Sequence, residues 1–164
     1  MLDKKKTPPD VEDEHQVTAI FHAARHGHVD VVKTLLAHGA DPDRATPRGD
    51  TPLFQAAQEG HTAIVKLLLK AGVKATRYNK KGSTPLLVAI HRGHRPIVNV
   101  FLDMGEPFDE PNPSGWTPLF VAIEKDHIDI VRELIKRGAD MNRTAKDGAT
   151  PLMFEGVPNY PDAS

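Results

Sequence analysis

The chain has 164 residues, no cysteine, 39% apolar and 26% charged residues, and a net charge of -1 with its nine histidines neutral. That length suits one domain burying roughly 70% of the surface its unfolded chain exposes, and the composition suits a soluble globular class. Lack of cysteine excludes disulfides, thiolate chemistry and cysteine-ligated metal clusters. A charge near zero gives no global pull toward nucleic acid or anionic lipid, although protonating every histidine would carry it to about +8.

The N-terminus, MLDKKKTPPDVEDEH, is polar and lacks the apolar core of a secretory signal. No apolar run approaches the ~20 residues of a membrane span. A cytoplasmic protein is the default expectation. Lys4, Lys5 and Lys6 offer a weak nuclear address beside the plainer reading of a solvated tail. Residues 1–16 are read as a flexible tail.

From Val17 onward the chain repeats itself. Thr18, Thr51, Thr84, Thr117 and Thr150 stand 33 residues apart, as do Gly39, Gly72, Gly105 and Gly138, and the doublets Gly27-His28, Gly60-His61 and Gly93-His94. Each threonine suits a helix N-cap, its hydroxyl accepting from a free N–H of the first turn. Pro52, Pro85, Pro118 and Pro151 then suit the first helical position, where a missing N–H costs nothing. Gly27, Gly60 and Gly93 end that helix in a left-handed conformation. A second helix follows, with apolar stripes such as Ile64, Val65, Leu68 and Leu69, or Ile97, Val98, Phe101 and Leu102. The next glycine closes it, and a loop rich in Pro, Asp, Asn and Gly leads to the next threonine. A single helix-turn-helix-loop unit cannot bury its stripe alone, so the pattern predicts an all-α solenoid of stacked units. Four units are whole, at 17–49, 50–82, 83–115 and 116–148. A partial fifth covers 149–154, where Gly156, Pro158 and Pro161 break it off, and 155–164 form a C-terminal tail.

These residues resemble the ankyrin repeat, above all Gly49-Asp50-Thr51-Pro52-Leu53-Phe54-Gln55-Ala56-Ala57 followed by Gly60-His61, Ile64-Val65, Leu68-Leu69 and Ala71-Gly72. The resemblance covers about residues 17–154. It implies an ankyrin-repeat solenoid that binds another protein through its concave face and loop tips, as an adaptor, inhibitor or targeting subunit. The alternative is a recognition domain or fragment of a larger multidomain enzyme or regulatory protein. The family usually has histidine after Thr-Pro-Leu, where this chain has Phe21, Phe54, Leu87, Phe120 and Met153. An apolar ladder, packed rather than lining a pocket, is expected there. Asp126 replaces the glycine before His127 and must accept a left-handed backbone, at about 1 kcal/mol. Some ankyrin repeats are hydroxylated on an asparagine after the second helix. The matching positions are Asp43, Thr76, Asp109 and Asn142, so only Asn142 qualifies.

Nothing in the sequence assembles catalytic chemistry, so no enzyme, cofactor or metal is expected. His28, His61, His94 and His127 share one repeat position and are explained by the repeat. His22 and His26 are four apart on one helical face, but no third metal ligand is placed with them. Ser83, Ser114 and Ser164 lie in loops or the tail, without the Gly-x-Ser-x-Gly elbow of a nucleophile. Asp30 and Asp129 open second helices, where negative charge favours the helix dipole. Nucleic-acid motifs are missing.

A monomer is expected, and the resemblance implies a partner surface on the loop tips and the exposed side of the first helices. Mapping by repeat position assigns it Arg25 and His26, Arg48, Gln58, Lys81, His91 and Arg92, Met104, Trp116 and Lys125. At the ends of the first helices it pairs Arg25 with His26, Gln58 with Glu59, His91 with Arg92, and Lys125 with Asp126. Trp116 is the strongest candidate, because its repeat equivalents Asp50, Ser83 and Ala149 show that the fold does not demand an indole there, and Trp and Arg are enriched in hot spots. The plainer reading has it packed on the loop from Phe108 to Pro113. Lys80, Lys81, Arg92 and Lys125 make a basic centre suited to a partner with an acidic segment.

Overall fold

The computed structural model describes residues 9–143 and 148. Within them lie eight helices in four pairs: α1 (Ala19–His26) with α2 (Val29–Ala37), α3 (Pro52–Glu59) with α4 (Thr62–Lys70), α5 (Pro85–His91) with α6 (Arg95–Asp103), and α7 (Pro118–Glu124) with α8 (Ile128–Lys136). The odd-numbered helices stack in order to form an inner row, and the even-numbered ones form an outer row. This is the all-α solenoid the repeat predicts. The partial fifth unit, Asn142's neighbours from residue 144 to 147 and the three N-terminal lysines fall outside the described residues. None of the described helices is long and apolar enough to cross a membrane.

Helices of seven to nine residues are unstable alone; caps and stacking sustain these. Thr51, Thr84 and Thr117 accept at Oγ from the backbone N–H of Phe54, Leu87 and Phe120 at 3.1, 3.2 and 3.2 Å. Thr18 does the same to Phe21 at 3.4 Å. The outer helices use a different device. Their cap residues His61, His94 and His127 make no side-chain bond to their own helix. Instead each Nε2 reaches the last turn of the preceding unit's inner helix, meeting the carbonyls of Arg25 at 3.0 Å, Gln58 at 3.0 Å and His91 at 3.4 Å. A carbonyl can only accept, so Nε2 carries the proton. These histidines therefore join neighbouring units, and His28, in the first of the described units, stacks on His26 at 6.0 Å.

One apolar core runs through all four units. Ile20, Leu53, Ile64, Leu68, Ile90, Ile97, Phe101, Leu119, Ile130 and Leu134 are fully buried, each contributing about 1.5–3 kcal/mol. The first unit shows what stacking does. Val31 occupies the place of Ile64, Ile97 and Ile130, yet it is 48% exposed while they are at 0%. Charged pairs add staples between successive loops: Arg44 to Glu12 at 2.8 Å, Arg77 to Asp43 at 3.9 Å, and Arg143 to Asp109 at 3.2 Å. The matching pair at the remaining joint is Glu110 and Thr76, which cannot form one. There Tyr78 Oη donates to the Pro111 carbonyl at 3.3 Å.

The segment expected to be tail through residue 16 departs from that reading in its later part. Asp13 N–H donates to the Val17 carbonyl at 3.0 Å, and Asp13 Oδ1 accepts from the N–H of His15 and Val17. This is a first finger, built like those that start at Thr46, Asn79 and Asn112, whose N–H groups donate to the carbonyls of Asp50, Ser83 and Trp116. Gln16 takes φ 58° in the place of Gly49, Gly82 and Gly115. Asp10 and Glu12 also hold the chain, through the Asp41 N–H and Arg44.

Candidate functional site

The fingers project beside the inner helices, and the two enclose a groove of about 1230 Å³ along the stack. Asn79 shows how a finger is held. Its Oδ1 accepts from the N–H of Lys81 and Ser83, each at 3.0 Å. Its Nδ2 donates to Asp50 at 2.8 Å, tying it to the preceding finger. Asn112 repeats the first arrangement with Ser114 and Trp116.

His15 of the first finger lines the groove, and the first unit adds Val17, Phe21, Arg25 and Arg48. The second gives Asp50, Phe54, Gln55, Gln58, Lys80 and Lys81. The third gives Leu87, Val88, His91, Arg92 and Ser114, and the fourth Trp116, Val121, Glu124 and Lys125. Eight of the ten expected partner-surface residues therefore share one groove: Arg25, Arg48, Gln58, Lys81, His91, Arg92, Trp116 and Lys125. His26 and Met104 are not among its lining. His26 shares its register with Arg92 and Lys125, which do line the groove, but it stacks between His22 and His28 instead. Met104 caps α6 in the outer row, 46% exposed.

Glu124, rather than Asp126, completes the fourth unit's share. Its register position matches Arg25, Gln58 and His91, and counting back from the turn at Asp126 displaces the mapping by one residue. Asp126 itself takes the expected left-handed backbone, φ 56°. The apolar ladder also needs amendment. Phe21, Phe54 and Leu87 are each only 6% exposed, as packing requires, but their exposed edges belong to the groove floor.

Trp116 is half-buried and meets Phe120 edge to face, ring centres 4.5 Å apart and planes at 80°. That geometry is favourable for aromatic pairs and holds the indole against α7. Its indole N–H has no hydrogen-bond partner among the described residues.

The groove is cationic. Arg25, Arg48, Lys80, Lys81, Arg92 and Lys125 face two carboxylates, Asp50 and Glu124. Both carboxylates are engaged, Asp50 by Asn79 at 2.8 Å and Glu124 by Lys125 at 3.2 Å. Among the described residues no carboxylate pairs with Arg25, Arg48, Lys80, Lys81 or Arg92. His91 registers this field: burial holds its pKa below the ordinary histidine value, and the charges of Lys125 and Arg92 push the same way. Elsewhere, the His22 hydrogen bond at 2.9 Å lowers the Asp13 carboxyl, with the Val17 N–H adding to it. Among the described residues no three histidine or acidic side chains are grouped to hold a metal ion.

Comparison with known proteins agrees with this architecture. A family model described as ankyrin repeats in three copies matches residues 1–79 and again 71–145. Ankyrin repeat domain-containing protein 49 of Bos taurus is 41% identical over 46 residues, which are 28% of this chain and 19% of that protein. The chain thus matches about a fifth of that relative's length. With its repeats matched over most of its length, the chain belongs to the ankyrin repeat family.

Proposed function

We propose that this chain is a protein-interaction module whose partner docks in the concave groove between fingers and inner helices. Ankyrin repeats generally serve protein binding and are typically non-catalytic, and the concave face is the finer reading. One observation carries it. The scaffold positions repeat from unit to unit, while the groove positions do not: Arg25, Gln58, His91 and Glu124 occupy one register, and Asp50, Ser83 and Trp116 another. A stack needing only stability has no use for that variation. The cationic surplus favours a partner with an acidic segment, chiefly by speeding association. In this reading the chain acts as a monomeric adaptor, inhibitor or targeting subunit in the cytoplasm or nucleus, without nucleic acid, membrane or cofactor.

Affinity purification from the native source supplies the partner, and variants locate its footprint. R48A/K81A should weaken binding roughly tenfold or more, while R132A/K136A on the exposed side of α8 should leave it unchanged. The opposite pattern would move the interface to the outer helices.

A further inference from the structure

The groove is not uniform along its length. Cationic side chains occur in every unit, but Trp116 is confined to the fourth. It stands at the start of α7, with Val121 and Lys125 further along that unit and Leu87, Val88 and Arg92 on the neighbouring α5 and its cap, all of them lining the groove. The indole offers a part-exposed apolar ring and an N–H donor with no partner among the described residues. The guanidinium of Arg92 has no carboxylate partner among the described residues, and it presents a planar fork that suits a carboxylate. Apolar surface and anion-seeking donors therefore converge at one end.

We propose that the fourth-unit end of the groove anchors a partner segment in which an acidic side chain adjoins an aliphatic or aromatic one. The apolar side chain packs against Trp116 and Leu87. The carboxylate accepts from Arg92 and the indole N–H, and further acidic residues run toward Lys81 and Arg48. A peptide segment fits this end better than a nucleic acid strand, which would call for a series of stacking aromatics along the groove. The other aromatic rings of the floor, Phe21 and Phe54, are each only 6% exposed and cannot serve as stacking platforms. The inference rests on the concave-groove reading and sharpens it.

Trp116 is the single tryptophan of the chain, so intrinsic fluorescence reports on this end alone. The full chain is titrated with a synthetic peptide of glutamates flanking a central leucine pair, following tryptophan emission and calorimetric heat together. The expected result is an emission shift with the same midpoint as the heat, weakened by salt. The glutamine counterpart of the peptide, and the R92Q variant with the original peptide, should each bind roughly tenfold more weakly. W116F, checked for folding by circular dichroism, should also lose affinity. Heat without an emission change, lost in R48A/K80A but not R92Q, would place the segment at the other end. That result overturns this anchor and leaves the groove reading intact. No heat at all, or heat abolished by R132A/K136A and by no groove variant, would overturn both. An oligothymidylate binding more tightly than the peptide, with the same emission shift, would replace the protein segment by a nucleic acid and overturn the proposal.

Discussion

The imidazole of His61 occupies the space a side chain on Gly27 would need: a Cβ built there would lie 2.7 Å from the ring's Cε1. The same holds for Gly60 with His94 at 3.0 Å and Gly93 with His127 at 2.8 Å. These glycines answer two demands, a left-handed backbone and room for the next unit's histidine. Gly72 has a φ of 83° but nothing within 4 Å of its would-be Cβ. G72A should therefore cost only the backbone penalty, about 1–2 kcal/mol. G27A should cost about 2–4 kcal/mol, because overlap adds to it. Urea denaturation measures both. In the double variant G27A/H61A the overlap disappears, so the loss should fall short of the sum of the single losses. Strict additivity would show that ring and glycine do not compete.

Asp126 tests the same rule from the other side. The position one period after His127 is Tyr160, so no histidine follows to claim the space. D126G should raise stability by no more than about 1 kcal/mol, the backbone share alone.

The threonine caps should matter in proportion to their geometry. Thr51 is 3% exposed and its cap bond is 3.1 Å. T51A should cost about 1–2 kcal/mol by thermal or urea unfolding, and T51S much less. T18A, with a bond of 3.4 Å, should cost less than T51A.

His91 predicts a pH dependence. Burial, then Lys125 and Arg92, keep its folded pKa below the ordinary 6.5. Between those two pH values the unfolded chain holds more protons than the native one, so this group lowers stability as pH falls from about 6.5, and contributes no penalty above it. Nuclear magnetic resonance titration of His91 should show the depressed value. K125Q should raise it, because a cation is removed while Glu124 remains. H91N should reduce the loss of stability on acidification below 6.5 relative to the parent chain.

The loop staples suggest a gain of function in stability. Three joints carry an arginine–carboxylate pair, and the one between Thr76 and Glu110 does not. The double substitution T76D/E110R should restore the pattern, but it also removes the Glu110–Arg143 pair at 3.9 Å, so the net gain should stay below the ~1 kcal/mol of a good exposed pair. Neither single substitution should give that gain.

Most of the scaffold was legible in the sequence because its determinants are local and identical in each unit. Thr-Pro at a helix start and glycine at its end each act within one turn, and a spacing of 33 residues multiplied the signal. The first finger escaped notice for the opposite reason. Its anchor position reads Asp13, Thr46, Asn79 and Asn112, chemically equivalent as acceptors yet different as letters. Scanning for any side-chain oxygen at that period would have found it. The groove was legible as a list of varying positions, since repeat arithmetic says which residues share a register. It could not set His26 apart from its register equivalents Arg92 and Lys125, because the stacking of His26 with His22 and His28 is particular to the first unit. Nor could it exclude Met104, whose helix end belongs to the outer row.

The histidine bridges all point the same way. Each closes on a carbonyl lying 36 residues earlier, so a unit leaving the ribosome is latched only after the next one has emerged far enough to supply its imidazole. During synthesis the latching of each unit therefore waits on the one that follows it, whereas in the finished chain the bridges impose no order on where folding starts.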